Sequence, residues 1–133
     1  MSGKRTGMLS QNEERGDIAL KQGKVWGETE EIFNDGIVSV NHLKIKKGGF
    51  CSEHRHKMKS NIFFIISGNL KLSIWKEGDI KDDTVIWAGE SSEVPPGVFH
   101  SFKALTDVEC LEIYEAKLRG EDIERRTQGG KEE

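Results

Sequence analysis

Cysteine is scarce in this sequence: Cys51 and Cys110 are the only two in 133 residues. Two unpatterned thiols make no disulfide framework, so reduced side chains and a cytoplasmic setting are the expectation. Surplus charge of one sign is missing too. The 20 basic residues against 23 acidic ones leave a net of −3, which supplies no field for drawing in nucleic acid or an anionic membrane. No apolar run reaches the length that spans a bilayer as a helix. The opening MSGKRTGMLSQNEERGD lacks the apolar stretch of a signal peptide. Helical periodicity is absent until the end of the chain. Both prolines stand together, as Pro95-Pro96 ahead of Gly97, which marks one sharp turn and leaves the rest of the chain free to form strands. The length suits one domain with its own core.

What the sequence does have is a succession of short strand patterns. KVWGETEEIF reads as a strand running to the hairpin signal Asn34-Asp35-Gly36. IVSVNHLKIK follows. NIFFIIS is continuously apolar, the pattern of a strand covered on both faces. LKLSIW alternates, with Leu70, Leu72 and Ile74 on one face. TVIW, SEVPPGVFHSF and VECLEIYEA complete the set. Short strands with a turn every few residues predict an all-β sandwich or barrel. Residues 1–17 are read as disordered, residues 18–116 as the barrel, with a helical turn or leading strand at 18–23. Residues 117–133 are read as a charged segment with a short helix around Glu121 to Arg126 and a solvated, glycine-containing tail.

The chemistry-bearing stretch is GGFCSEHRHKMKSNIFFIISGNL, residues 48–70. Residues two apart on a strand share a face, so His54 and His56 point together, with Ser52 beside them. Adjacent buried imidazoles are costly unless a metal or hydrogen bonds satisfy them. The Pro95-Pro96-Gly97 turn aims His100 back towards the pair. Three neutral imidazoles with an open position suit one divalent cation, whether zinc, iron, manganese or nickel. Asn61 stands where a fourth, carboxylate ligand would complete such a site. It is read as a weak ligand, a bystander, or part of a metal-free pocket, with the bystander role favoured. His42 has no partner pattern and reads as structural or exposed. Glu112 and Tyr114 share one face of the last strand with Cys110 and are the candidate catalytic pair.

These spacings resemble the two motifs of the cupins. Gly48, His54, His56, position 61 and Gly68 fit the first, and Gly89, Pro95, Gly97 and His100 fit the second, with Asn61 and Ala104 as the departures. The resemblance implies a jelly-roll barrel, a double-stranded β-helix, with one divalent metal inside it. The flanks narrow it further. KVWGE, and the closing Leu118, Gly120, Glu121, Asp122, Ile123 and Arg125, resemble the mannose-6-phosphate isomerase-like cupins. That implies a sugar or sugar-phosphate isomerase, with Glu112 as candidate base. HRHKMKSNIFFIISG is also similar to the metal-free nucleotide-sugar ketoisomerases. A three-histidine iron dioxygenase and a non-enzymatic small-molecule-binding barrel are the alternatives. Lys71, Lys44 and Arg55 are the cations available to hold a phosphate. A homodimer is expected, with KVWGETEEIF supplying an exchanged edge strand and Trp26 partly buried at the contact.

Overall fold

The computed structural model describes residues 21–116 and 123–132, and every element in them but one short 3-10 turn at Glu77–Asp79 is a strand. The expected disorder at 1–17 lies outside the described residues, as does most of the segment just before Ile123. Two sheets face each other. The first contains β1 (Lys21–Lys24), β2 (Gly27–Asn34), β3 (Val38–Ile45), β11 (Val108–Ala116), β6 (Lys59–Ser67) and β9 (Ser91–Val94), in that spatial order. The second is built on β10 (Phe99–Ala104). On one side β10 pairs with β7 (Asn69–Lys76), which pairs in turn with β8 (Ile80–Trp87). On its other side lie the two short strands β4 (Gly49–Phe50) and β5 (His54–Arg55), backed by β13 (Gly130–Lys131) and β12 (Glu124–Arg125). All pairings are antiparallel, and the architecture is the jelly roll that the motif resemblance implies, within the all-β class that the strand patterns predict.

Period-two alternation fills the space between the sheets. Leu43, Ile45, Phe63, Ile65, Leu70, Leu72, Ile86, Val94, Phe102 and Val108 are each at most 4% exposed. The Asn34-Asp35-Gly36 hairpin forms as read, with the Asp35 carboxylate accepting the Ile37 and Val38 amides at 2.9 and 2.8 Å. At Gly68 the backbone takes φ +88, and a Cβ there would run into the carbonyl oxygen of Asp107. Only glycine satisfies both conditions.

Four expectations need correction. KVWGETEEIF is not one strand: β1 ends at Lys24, a turn occupies Val25-Trp26, and β2 starts at Gly27. Trp26 lies partly buried against this chain's own core, edge-on to Phe102 at 5.2 Å between centroids. NIFFIIS is covered on one face only. Phe63 and Ile65 are buried, whereas Phe64 and Ile66 are 37% and 42% exposed, because β6 lies in a sheet whose second face looks outward. The C-terminal helix is also not what the described residues show. Glu124 and Arg125 are extended and pair with Arg55 and His54. The pairing partner lies far away in the sequence, with Arg55 and Glu124 separated by 69 positions, so local helix propensity is overridden by a non-local ladder. The tail is not a free solvated end either. Gly129 lies so close to the strand beneath that a Cβ would sit 2.8 Å from the Phe50 carbonyl oxygen and from the Cys51 backbone. What reads as low complexity in the sequence is a close backbone approach.

Candidate metal centre and cleft

His54 and His100 are directly opposed across the β5–β10 pair. That register, together with the period-two spacing that carries His56, brings three imidazoles into one cluster. Their ring centroids are separated by 4.5 Å (His54–His100), 5.1 Å (His54–His56) and 5.7 Å (His56–His100). The ligating atoms of all three lie within 4.8 Å of one another. Exposure is 7%, 6% and 1% for His54, His56 and His100. The Pro-Pro-Gly turn does what its sequence suggests: Gly97 donates its amide to the His56 carbonyl at 2.8 Å, tying the turn to the histidine strand.

The hydrogen bonds around the cluster select tautomers. His54 donates from Nδ1 to the Ser52 carbonyl at 2.7 Å, and His100 donates from Nδ1 to the Val98 carbonyl at 2.9 Å. Both rings are thereby left with the lone pair on Nε2, as an oriented metal ligand requires. Burial opposes imidazolium formation. The His54 pKa is pushed down to about 3, chiefly by desolvation and then by the neighbouring His100, and that of His100 is lowered by desolvation. Neutral, oriented imidazoles at this separation fit a divalent cation.

Asn61 sits within β6, 1% exposed and aimed into the same space. Its amide nitrogen donates to Glu112 Oε2 at 2.9 Å and makes a long 3.4 Å contact with His100 Nε2. Its Oδ1 is buried without a hydrogen-bond partner. The amide thus bridges the histidine cluster and a carboxylate. Glu112 is 9% exposed. Burial raises its pKa against the lowering effect of hydrogen bonds from Tyr114 and Asn61 and of the charges on Lys24 and Lys59. Tyr114 stacks edge-on to His56 at 5.2 Å between centroids, and its pKa is raised well above that of a free phenol, first by burial and then by Glu112. Glu112, Tyr114 and Cys110 do share the inward parity of β11. Cys51 and Cys110 are free thiols whose pKa values burial pushes up to about 12, and neither is a ready nucleophile.

A cleft of about 430 Å³ opens beside His54. Its wall includes His54, Glu112 and Tyr114 at depth, with Lys24, Arg125 and Gln128 among the other lining residues. Lys71, Lys44 and Arg55 do not line it. Lys71 faces Asp83 at 4.0 Å and Arg55 bonds Glu124 at 2.9 Å, while Lys44 lies on the outward parity of β3. Arg125 and Lys24 went unassigned in the sequence because each reaches the cleft through strand pairing that no local pattern reveals. His42 is on the outer face, 2.7 Å from Glu109, in agreement with a structural role.

A family model for the cupin domain matches residues 41–114. The chain is a cupin. Among curated proteins, a mannose-1-phosphate guanylyltransferase from Salmonella montevideo is 26% identical to it over 99 residues, 73% of this chain. The match takes in 20% of that enzyme's length. Oxalate decarboxylase from Bacillus subtilis superposes with a TM-score of 0.68 at 18% identity, over 91% of this cupin and 33% of that chain. KdgF from a Halomonas species gives 0.60 at 15% identity, over 68% of this cupin and 80% of that chain. At such identities the two structures speak to the fold. This cupin carries a three-histidine cluster suited to a divalent metal.

Proposed function

We propose that this cupin holds one divalent metal on His54, His56 and His100 and performs aldose–ketose isomerase chemistry on a small sugar or sugar phosphate. The observation that carries the reading is the placement of Glu112, a buried carboxyl group that lines the same cleft as His54. Isomerisation shuttles a proton between neighbouring carbons and needs a base within reach of both. Burial raises the affinity of Glu112 for a proton, which suits it to take one from carbon and return it. The Tyr114 hydroxyl and the Asn61 amide both donate to it and hold its orientation. A bound divalent cation would polarise the substrate carbonyl. The likeness to a mannose-1-phosphate guanylyltransferase supports a sugar phosphate as the substrate class.

The test is interconversion of mannose 6-phosphate and fructose 6-phosphate by protein purified without a histidine tag, with its metal identified by elemental analysis. Zinc or manganese with turnover is the expected result. Glu112→Gln should keep the metal and lose turnover by a factor on the order of 100 or more, the usual scale of general-base catalysis. Turnover undiminished by that change would remove Glu112 as the base. A second reading, a three-histidine iron dioxygenase, is favoured by the absence of a carboxylate from the cluster among the described residues and by the Asn61 nitrogen, rather than its oxygen, facing His100. Iron content with oxygen consumption would select it. Metal or ligand binding without turnover would leave a binding barrel.

The chain is further proposed to form a homodimer through the outer face of the first sheet. Val40, Ile62, Phe64, Ile66, Leu111 and Ile113 share the outward parity of three adjacent strands. A net charge of −3 opposes self-association little. A second copy covers such a face with its own equivalent, the usual two-fold arrangement. Light scattering should return twice the 15.0 kDa chain mass at micromolar concentration, and the chain mass alone would end the proposal.

A further inference from the structure

Two cations stand at the cleft from opposite sheets. Lys24 closes β1 at the edge of the first sheet, and Arg125 lies in β12 at the edge of the second. Both line the cleft that has His54 and Glu112 in its wall. Their charges reach the interior: Lys24 lowers the pKa of Glu112, and Arg125 lowers those of His54 and Cys51.

Neighbouring cations are neutralised. Arg55 bonds Glu124 at 2.9 Å, and Arg126 bonds Asp79 at 3.0 Å while its guanidinium lies 4.1 Å from the Phe99 ring centroid. Arg125 differs. Among the described residues it has no carboxylate at ion-pair distance, and its one hydrogen bond runs from Nε to Ser52 Oγ at 3.1 Å. That bond uses one of the five guanidinium N–H groups and leaves the terminal nitrogens to a ligand. Ser52 Oγ is itself 3.1 Å from His54 Nδ1. The guanidinium is therefore held one hydroxyl away from the histidine cluster.

The geometry points to Arg125, assisted by Lys24, as the anchor for a carboxylate or phosphate group on the substrate, set beside the metal centre. This rests on reading the cleft as the substrate site and adds a requirement to it: the substrate is anionic. A planar guanidinium with its terminal nitrogens available matches two oxygens of either anion. Lys24, exposed and on the far sheet, contributes charge without a fixed orientation. Pairing with His54 places Arg125 at the cluster.

The experiment is calorimetric titration of the zinc-loaded full chain with glucose 6-phosphate, glucuronate and glucose. The three probes share a ring and differ in the group at carbon 6. Both anionic probes should bind more tightly than glucose, and the stronger of the two names the natural anion. Arg125→Gln should weaken both anionic probes at least about tenfold, the scale of a lost hydrogen-bonded charge, and leave glucose affinity and zinc content unchanged. Arg125→Lys should restore part of the loss. Lys24→Gln, which leaves β12 untouched, should weaken the anions in the same direction. Equal affinity for all three probes overturns the inference. So does an Arg125→Gln protein that loses all three equally, since Arg125 would then only hold β12 in place. The isomerase reading fails separately: anion binding that depends on Arg125 in a protein without turnover would keep the anchor and discard the isomerase.

Discussion

His100→Ala is expected to strip the protein of bound metal. The side chain is 1% exposed, faces His54 across paired strands and has its Nε2 lone pair freed by the bond from Nδ1 to Val98. Losing an oriented ligand should cost more than losing one of its supporting hydrogen bonds, which is worth about 10- to 100-fold in metal affinity. Zinc affinity should thus fall by at least roughly 100-fold. His42→Ala, on the outer face, should change nothing. Asn61→Ala should alter occupancy little, because the amide nitrogen faces His100, and Asn61→Glu should tighten binding by adding an anionic ligand. Metal loss in Asn61→Ala as complete as in His100→Ala would make Asn61 a full ligand and end the three-histidine model.

The same cluster sets a pH dependence. A free histidine site would release metal as pH falls through the ordinary imidazole value of 6.5. Here burial holds His54 down to about 3 and His100 below its ordinary value. Half-release of zinc is therefore expected below pH 6.5. For the metal-free chain the sign follows from proton linkage. Below pH 6.5 the unfolded imidazoles take up protons that the folded ones refuse. Stability is present above that pH and declines as pH falls towards the folded value of about 3. A chemical-denaturation series from pH 7 to 4 would show it, and a midpoint unchanged across the series would count against buried neutral histidines.

Phe63→Ala should be the costliest truncation in the barrel, at about 3–5 kcal/mol. Phe63 is 1% exposed and meets Phe102 edge-on with centroids 6.1 Å apart. Removal of a ring from a closed interior leaves a cavity that strands on both sheets cannot close without breaking their ladders. Phe64, the next residue, is 37% exposed, and Phe64→Ala should cost roughly 1 kcal/mol or less of folding stability while weakening association between copies. Urea denaturation separates the two. Equal losses at the two positions would mean that the inward face of β6 has been assigned wrongly.

The difference between those neighbours shows where sequence reasoning reaches its limit. The HxH spacing and the Pro-Pro-Gly turn were enough to bring His54, His56 and His100 together, because alternation along a strand and a sharp turn are local properties. The parity of Glu112, Tyr114 and Cys110 was legible for the same reason. The continuous apolar run of β6 was not. An unbroken run looks alike whether its second face is covered by the same chain or by another molecule, and alternation carries no information when every position is apolar. Arg125 was legible as part of the closing motif but not as a cleft residue: its place depends on pairing with a strand some seventy positions earlier (69 between Arg55 and Glu124), and nothing near it in the sequence encodes that partner.

The direct opposition of His54 and His100 has a consequence for how this protein can change over generations. Side chains on a strand alternate, so inserting or deleting one residue turns every later side chain to the opposite face. A single-residue insertion between His54 and His56, or between Phe99 and His100, would swing an imidazole outward and dissolve the cluster, however conservative the inserted residue. The hairpin tip at Asp35-Gly36 has no such constraint and can vary in length. Descendants of this chain should therefore record their divergence as substitutions along β5 and β10 and as length differences in the hairpins.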